Sequence, residues 1–299
     1  GMGAFVVIGV LVPIAGDLKL DTAAAGWVMT AYALAYAVAS PILTALTGRI
    51  DRRTVLLAGF LLFIAGSLLC ALAASSSVLY AGRALAAAGA GLYTPGAAAV
   101  ALASAPPEQR GKVLATVFAG LTLAQVIGVP AGAWLGYTFG WRVAFFAVVG
   151  LGVVVTAILA WRLPVGIRVA PASLSSLGRV LVTPLSLAIL FTGTFLGGIY
   201  VVYTYLAPLV EAKLSAGRAE VTIMLTVFGL GAVIGNVLGG TLTDRIGPSR
   251  TLLLLCGMQI VMMPIVTLVP YGLWIGALVF FIWSVFGWSF MVPQQARIV

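Results

Sequence analysis

Long apolar runs separated by short polar turns make up nearly the whole chain. A helix crossing the hydrocarbon core of a bilayer needs about 20 mostly apolar residues. Runs of that length fall at 27–46, 54–74, 78–101, 113–137, 143–163, 184–209, 221–242, 251–269 and 273–292. The opening stretch, 1–15, is apolar but shorter and is expected to be a partial tenth span. No basic flank precedes it, so a first helix lacking its beginning is expected rather than a signal peptide. The end at Val299 is likewise expected to be cut just past a helix. The pattern predicts an all-α membrane protein.

The polar turns then set orientation. Alternate turns carry Arg49, Arg52 and Arg53; Arg110 and Lys112; Arg162, Arg168 and Arg179; Arg245 and Arg250; and Arg297. The opposite turns hold only Lys19, Arg142, Lys213 and Arg218. Basic residues accumulate in cytoplasmic loops, which places the first set inside and sends the opening helix outward. Trp27, Trp134, Trp141 and Trp274 then fall at outer ends and Trp161 at an inner one, as interfacial belts do. Six spans precede the polar-leaning stretch 162–183 and four follow it. The expected division is a first bundle at 1–161, a cytoplasmic linker at 162–183 and a second bundle at 184–299.

Composition removes the competing classes. The chain has 299 residues, 62% hydrophobic and 8% charged, with mean hydropathy +1.18. A water-soluble fold could not cover so much apolar surface. The net charge of +9 lies in loop clusters and forms no basic helix or stripe, so no nucleic-acid partner is expected. There is no histidine, and Cys70 and Cys256 lie inside apolar runs, so neither metal site, cofactor nor disulfide framework is expected.

An internal repeat is visible. Leu46-Thr47-Gly48-Arg49-Ile50 follows the second span, and Leu242-Thr243-Asp244-Arg245-Ile246 follows the eighth on the same side of the membrane. A duplicated six-helix unit accounts for both position and residues. In the second copy Gly240 and Gly247 are expected to permit a tight reversal. Asp244 is expected against the N-terminal end of a neighbouring helix, where unpaired N–H groups favour a carboxylate.

Arg83 is the single charge well inside a span, where an ionisable group costs about 2.5 kcal/mol or more, and is a functional candidate for that reason. It is expected to face the first and second helices. All seven acids (Asp17, Asp21, Asp51, Glu108, Glu211, Glu220 and Asp244) fall in or beside loops, so its partners are expected to be neutral oxygens or substrate. Tyr32, Tyr36 and Ser40 share a face, as do Thr192 and Tyr203; Thr122 and Gln125 lie three apart, and Asn236 and Gln259 stand alone. From these, Arg83, Tyr32, Tyr36, Thr122, Gln125, Thr192, Tyr203 and Asn236 are expected to line a cavity for a partly apolar molecule. Gly128, Gly132 and Gly136, and again Gly231, Gly235 and Gly239, form smooth ridges for close helix contact.

Several of these segments resemble a known family. Residues 240–247 resemble the signature loop of the major facilitator superfamily, and the turn with Arg49, Arg52 and Arg53 is its first-half counterpart, with Gly48 at the aspartate position. Residues 83–91 resemble that superfamily's fourth-helix arginine motif. Gly120, Gly128, Pro130 and Gly132 resemble the fifth-helix motif associated with antiporters, and Gly140-Trp141-Arg142 the entry to the sixth helix. The resemblance is nearest to bacterial drug/proton antiporters of the arabinose-efflux-permease-like group. It implies about ten of twelve transmembrane helices and a multi-pass protein of the inner (plasma) membrane that is not an enzyme. It further implies secondary active transport, with proton-coupled efflux of small partly hydrophobic molecules by alternating access. Its implied partners are a small-molecule substrate, protons and the lipid bilayer; metabolite uptake or uniport is the alternative.

Overall fold

The computed structural model describes residues 1–106, 109–163, 166, 184–214, 217–270 and 272–298. Most of the expected linker, 162–183, lies outside them. Four helices open the chain: α1 (Met2–Asp17), α2 (Thr22–Leu46), α3 (Arg52–Ala71) and α4 (Ser76–Ala103). Loop residues with short polar side chains start three of them. Asp21 accepts from Ala24 N at 2.7 Å, Asp51 from Thr54 N and Ser75 from Val78 N, each satisfying an N–H that the helix itself cannot.

The fifth span is not one helix. It runs as α5 (Arg110–Leu123), a π-helical turn over Ala124–Gly128, and α6 (Val129–Phe139). Pro130 has no N–H to return to the carbonyl one turn back, and the widened turn absorbs the mismatch. α7 (Trp141–Arg162) follows Gly140, whose φ of 93° suits glycine. The seventh span breaks into α8 (Pro184–Thr204) and α9 (Leu206–Leu214). Then come α10 (Arg218–Ile246), α11 (Pro248–Leu268), α12 (Leu273–Trp288) and α13 (Met291–Ile298). Among the described residues eight segments are long and apolar enough to cross a membrane, the last of them α12 and α13 taken together, and many large apolar side chains on them, such as Leu61, Val201 and Ile260, face outward.

One close packing recurs along the chain. The second span packs closely on the fourth (α2 on α4), and the eighth on the tenth (α10 on α12). Both glycine ridges are seams. Gly128, Gly132 and Gly136 receive Met2, Val6 and Val10 of α1, while Gly231, Gly235 and Gly239 lie against the backbone of Phe281, Val285 and Ser289. A methyl group at Gly235 or Gly239 would collide with a carbonyl oxygen of the opposing helix. The apolar core is continuous across the halves: Ile8, Val129 and Ala133, from the first and fifth spans, join the cluster built by α8 to α12.

Trp141 departs from the expected aromatic belt. It is 2% exposed and donates its indole N–H to Asp17, whereas Trp27, Trp134, Trp161 and Trp274 are exposed. Asp17, beyond the apolar run of α1, also takes Arg142 in an ion pair at 2.6 Å, and Arg142 donates to Ala73 O. The network ties the outer ends of α1, α3 and α7 together. Arg142 and then the Trp141 hydrogen bond hold the Asp17 carboxyl below its ordinary range. A depressed carboxylate contributes stability that is present above its unfolded pKa, near 4, and lost as pH falls through the folded value. Thermal unfolding midpoints in detergent are therefore expected to drop below about pH 4 in the wild type, and Asp17→Asn to flatten that part of the profile. Equal acid sensitivity in both proteins would remove Asp17 as the cause.

Candidate functional site

A cavity of about 850 Å³ lies at mid-depth in the bundle, lined by α1 to α5 and α7 and, through Gly197 and Tyr200, by α8. Its walls are aromatic and apolar. α2 presents Met29, Tyr32, Ala33 and Tyr36 on one face, α4 presents Ala90, Tyr93, Thr94 and Ala97, and α3 contributes Phe60 and Phe63. Phe5 of α1 stacks on Tyr200 of α8, with ring centres 6.0 Å apart and the planes inclined by 6°, joining the halves at the cavity edge. Gly120 also lines the cavity, with open space where a side chain would stand.

Arg83 sits directly behind this wall. It is 1% exposed and is not a lining residue. Nε donates to Val28 O at 3.0 Å, one terminal nitrogen to Gly3 O and the other to Ala4 O at 3.0 Å, so one guanidinium binds α1 and α2 to α4. Its carbon lies 4.2 Å from the centre of the Tyr32 ring, whose neighbour Tyr36 stacks alongside. The planar fork with five donors is what allows three carbonyls on two helices to be met at once. The expected orientation toward the first and second helices is the one observed. Arg83 nevertheless reaches the cavity through Tyr32 and not directly.

The other expected lining residues lie between helices, most of them hydrogen-bonded there, while the buried Gln125 Oε1 and the Tyr203 hydroxyl have no partner among the described residues. Asn236 of α10 donates to Thr122 of α5 at 3.5 Å, across the two halves. Gln125 is buried in the π-turn. Thr192 accepts from Gln294 of α13 at 2.9 Å. Tyr203 is fully buried and stacks on Phe228 with centres 4.2 Å apart. Gln259 takes the Trp283 indole at 2.9 Å, and Ser40 donates to Gly91 O at 3.0 Å. Of the sequence candidates, Tyr32, Tyr36 and Gly120 are brought to the cavity. Tyr93, Thr94 and Tyr200 were not anticipated. The first two could have been found, since Ala90, Thr94 and Ala97 continue the face of α4 that begins at Arg83.

The turns behave unequally. In the first, Asp51 also accepts from Gly166 N at 2.9 Å, and Arg53 donates at 2.6 Å to Ala160 O at the C-terminal end of α7, where a cation is favoured. Arg52 is 4% exposed and leans on Gly48 O; Arg49 is exposed. In the second, Gly240 is inside α10 and forms no reversal, because Asp244 continues the helix where Gly48 ends it. Gly247, with φ 82°, and Pro248 make that turn. Asp244 is exposed and, among the described residues, has no hydrogen bond or ion pair, so the expected cap on the start of the fifth span is not formed in this conformation.

Among the described residues, the halves meet at the opposite end. Tyr137 donates to Glu211 Oε1 across the outer end, and the Tyr205 hydroxyl occupies the place a side chain on Gly26 would take. α10 packs on α6 and the π-turn, where Gly229 meets the backbone at Val126, and touches α5 only at its margin. Among the described residues the helices are therefore joined at the outer and middle levels.

The structure is a many-span helical membrane bundle with a cavity at mid-depth. This chain belongs to the Major Facilitator Superfamily, whose family model matches residues 1–299. It is 33% identical over 302 residues to the inner membrane transport protein YdhP of Escherichia coli (strain K12), covering 100% of this chain and 77% of YdhP. It is 34% identical over 247 residues to the uncharacterized MFS-type transporter YtbD of Bacillus subtilis (strain 168), covering 82% of this chain and 62% of YtbD. The chain thus spans less than two thirds of YtbD. Among solved structures, an inward-facing, unoccupied bacterial homolog of the human lysosomal transporter Spinster superposes with TM-score 0.73 at 20% identity, over 99% of this chain and 71% of that one. The transporter FucP in its outward conformation superposes with TM-score 0.59 at 16% identity, over 98% and 81%. The protein is a multi-pass protein of the inner membrane.

Proposed function

We propose that the protein is a secondary transporter that exports small, partly hydrophobic molecules in exchange for protons, with residues 1–161 and 184–299 moving as two bundles. The observation that carries this reading is the asymmetry of contact between the halves. They are tied at the outer end by Tyr137 with Glu211 and by Tyr205 with Gly26, while Asp244 at the cytoplasmic end is untied. A bundle tied at its outer end and untied at its cytoplasmic end is one half of an alternating-access cycle. Tyr32, Tyr36 and Tyr200 are the cargo-facing residues in this proposal, and Arg83 is the positioning residue behind Tyr32.

Glu211 is the acid through which a proton would act. It is half-buried and is the described acid with a side-chain bond across the halves. Protonation weakens a carboxylate as a hydrogen-bond acceptor and would loosen the outer seal. Proteoliposome flux of a candidate cargo, measured with and without a pH gradient, is expected to run with the gradient in the wild type and to lose that dependence in Glu211→Gln. Flux indifferent to the gradient would overturn proton coupling, and net inward flux driven by the gradient would overturn export.

A further inference from the structure

We infer that Arg83 and Tyr32 make the cavity selective by charge: it accepts neutral or anionic aromatic molecules and excludes cations. The inference rests on the carrier reading of the same cavity. An arginine keeps its charge even when buried, and Arg83 is 1% exposed. Its described partners are the carbonyls of Val28, Gly3 and Ala4, the Met29 sulfur and the Tyr32 ring. These dipoles solvate the charge without cancelling it. Among the described residues no carboxylate does so either: Asp17 is paired with Arg142, Asp21 and Asp51 cap helices, Glu211 takes Tyr137, Glu220 accepts from Gly217 N and Asp244 is exposed on the cytoplasmic side. Glu108, in the cytoplasmic turn, lies outside the described residues.

The geometry carries the charge to the cargo. Tyr32 has the guanidinium carbon 4.2 Å from its ring centre and lines the cavity itself. A planar molecule touching the small exposed part of that ring would lie about 8 Å from the charge. At the effective dielectric of a protein site, a unit charge at that distance separates anion from cation by on the order of tenfold or more. The source is buried, so mobile ions do not screen it as they screen a surface cluster. The remaining wall, from Phe5, Phe60, Phe63 and Tyr93, offers rings and no counter-charge.

The test uses one aromatic skeleton with three charges: naphthalene-1-sulfonate, 1-naphthol and trimethyl(1-naphthyl)ammonium. Binding to the purified protein is measured by equilibrium dialysis at low and high salt, with no flux required. The sulfonate and naphthol are expected to bind at least tenfold more tightly than the ammonium probe, with the ratio held from about 0.05 to 0.5 M salt. Arg83→Lys should keep the order. Arg83→Met, which fills the same space without charge, should bring the three affinities within about threefold, with its folding checked by thermal unfolding. Tighter or equal binding of the cation, a preference erased by salt, or no binding of any probe overturns the inference. None of those results bears on transport itself, which the flux assay reads separately.

Discussion

Gly229→Leu is expected to abolish transport while leaving the helices folded. Gly229 is where the eighth span crosses the fifth: a Cβ there would fall 2.7 Å from Val126 Cα and 3.1 Å from Gln125 O. A backbone cannot yield as a flexible side chain does, so a leucine must push α10 away from the π-turn. Overpacking of this kind costs about 1–3 kcal/mol, and here the cost falls on the conformation closed at its outer end. Flux in proteoliposomes should drop at least tenfold, and hydrogen exchange over α9 should rise as the Tyr137–Glu211 and Tyr205–Gly26 contacts part. Gly257→Leu is the control, since Gly257 has open space around it on the exposed face of α11. Unchanged flux in Gly229→Leu would show that the fifth and eighth spans separate freely at this level.

The spans were legible because the bilayer imposes a length that hydropathy measures directly. The breaks in the fifth, seventh and tenth spans were harder: in a helix apolar all round, periodicity carries little signal, and a proline just past each break, Pro130, Pro208 and Pro293, was the one mark of it. Glycine ridges were readable as seams because spacing alone determines which glycines share a face. The cavity lining was harder to read. Thr122, Thr192, Asn236 and Gln259 each stand at a polar position, but a polar side chain in a membrane helix is as well satisfied by a neighbouring helix as by a cavity. Thr122 found Asn236 and Thr192 found Gln294. Tyr32 and Tyr36 remained because rings line a space without needing a partner for every atom. Asp244 differs again, for its contact depends on which end of the bundle is closed, and a sequence does not encode a single conformation.

That distinction between satisfied and available polarity governs the strongest stability prediction, at Arg83. Arg83→Ala removes three carbonyl contacts and leaves a void where α1, α2 and α4 converge, and buried large-to-small changes cost about 2–5 kcal/mol. A clear fall in the thermal unfolding midpoint is expected. Arg83→Met should restore most of it, because a buried charge without a carboxylate pays a desolvation cost that an apolar side chain of similar length avoids. The three carbonyls keep their places within helices and are not left bare. Flux should order differently. Arg83→Lys, keeping charge but losing the fork that spans two helices, should retain part of the wild-type rate, whereas Arg83→Met and Arg83→Ala should both fall well below it. A stable Arg83→Met protein with wild-type flux would reduce Arg83 to packing and end its role behind Tyr32. Stability and transport moving together across all three variants would say the same.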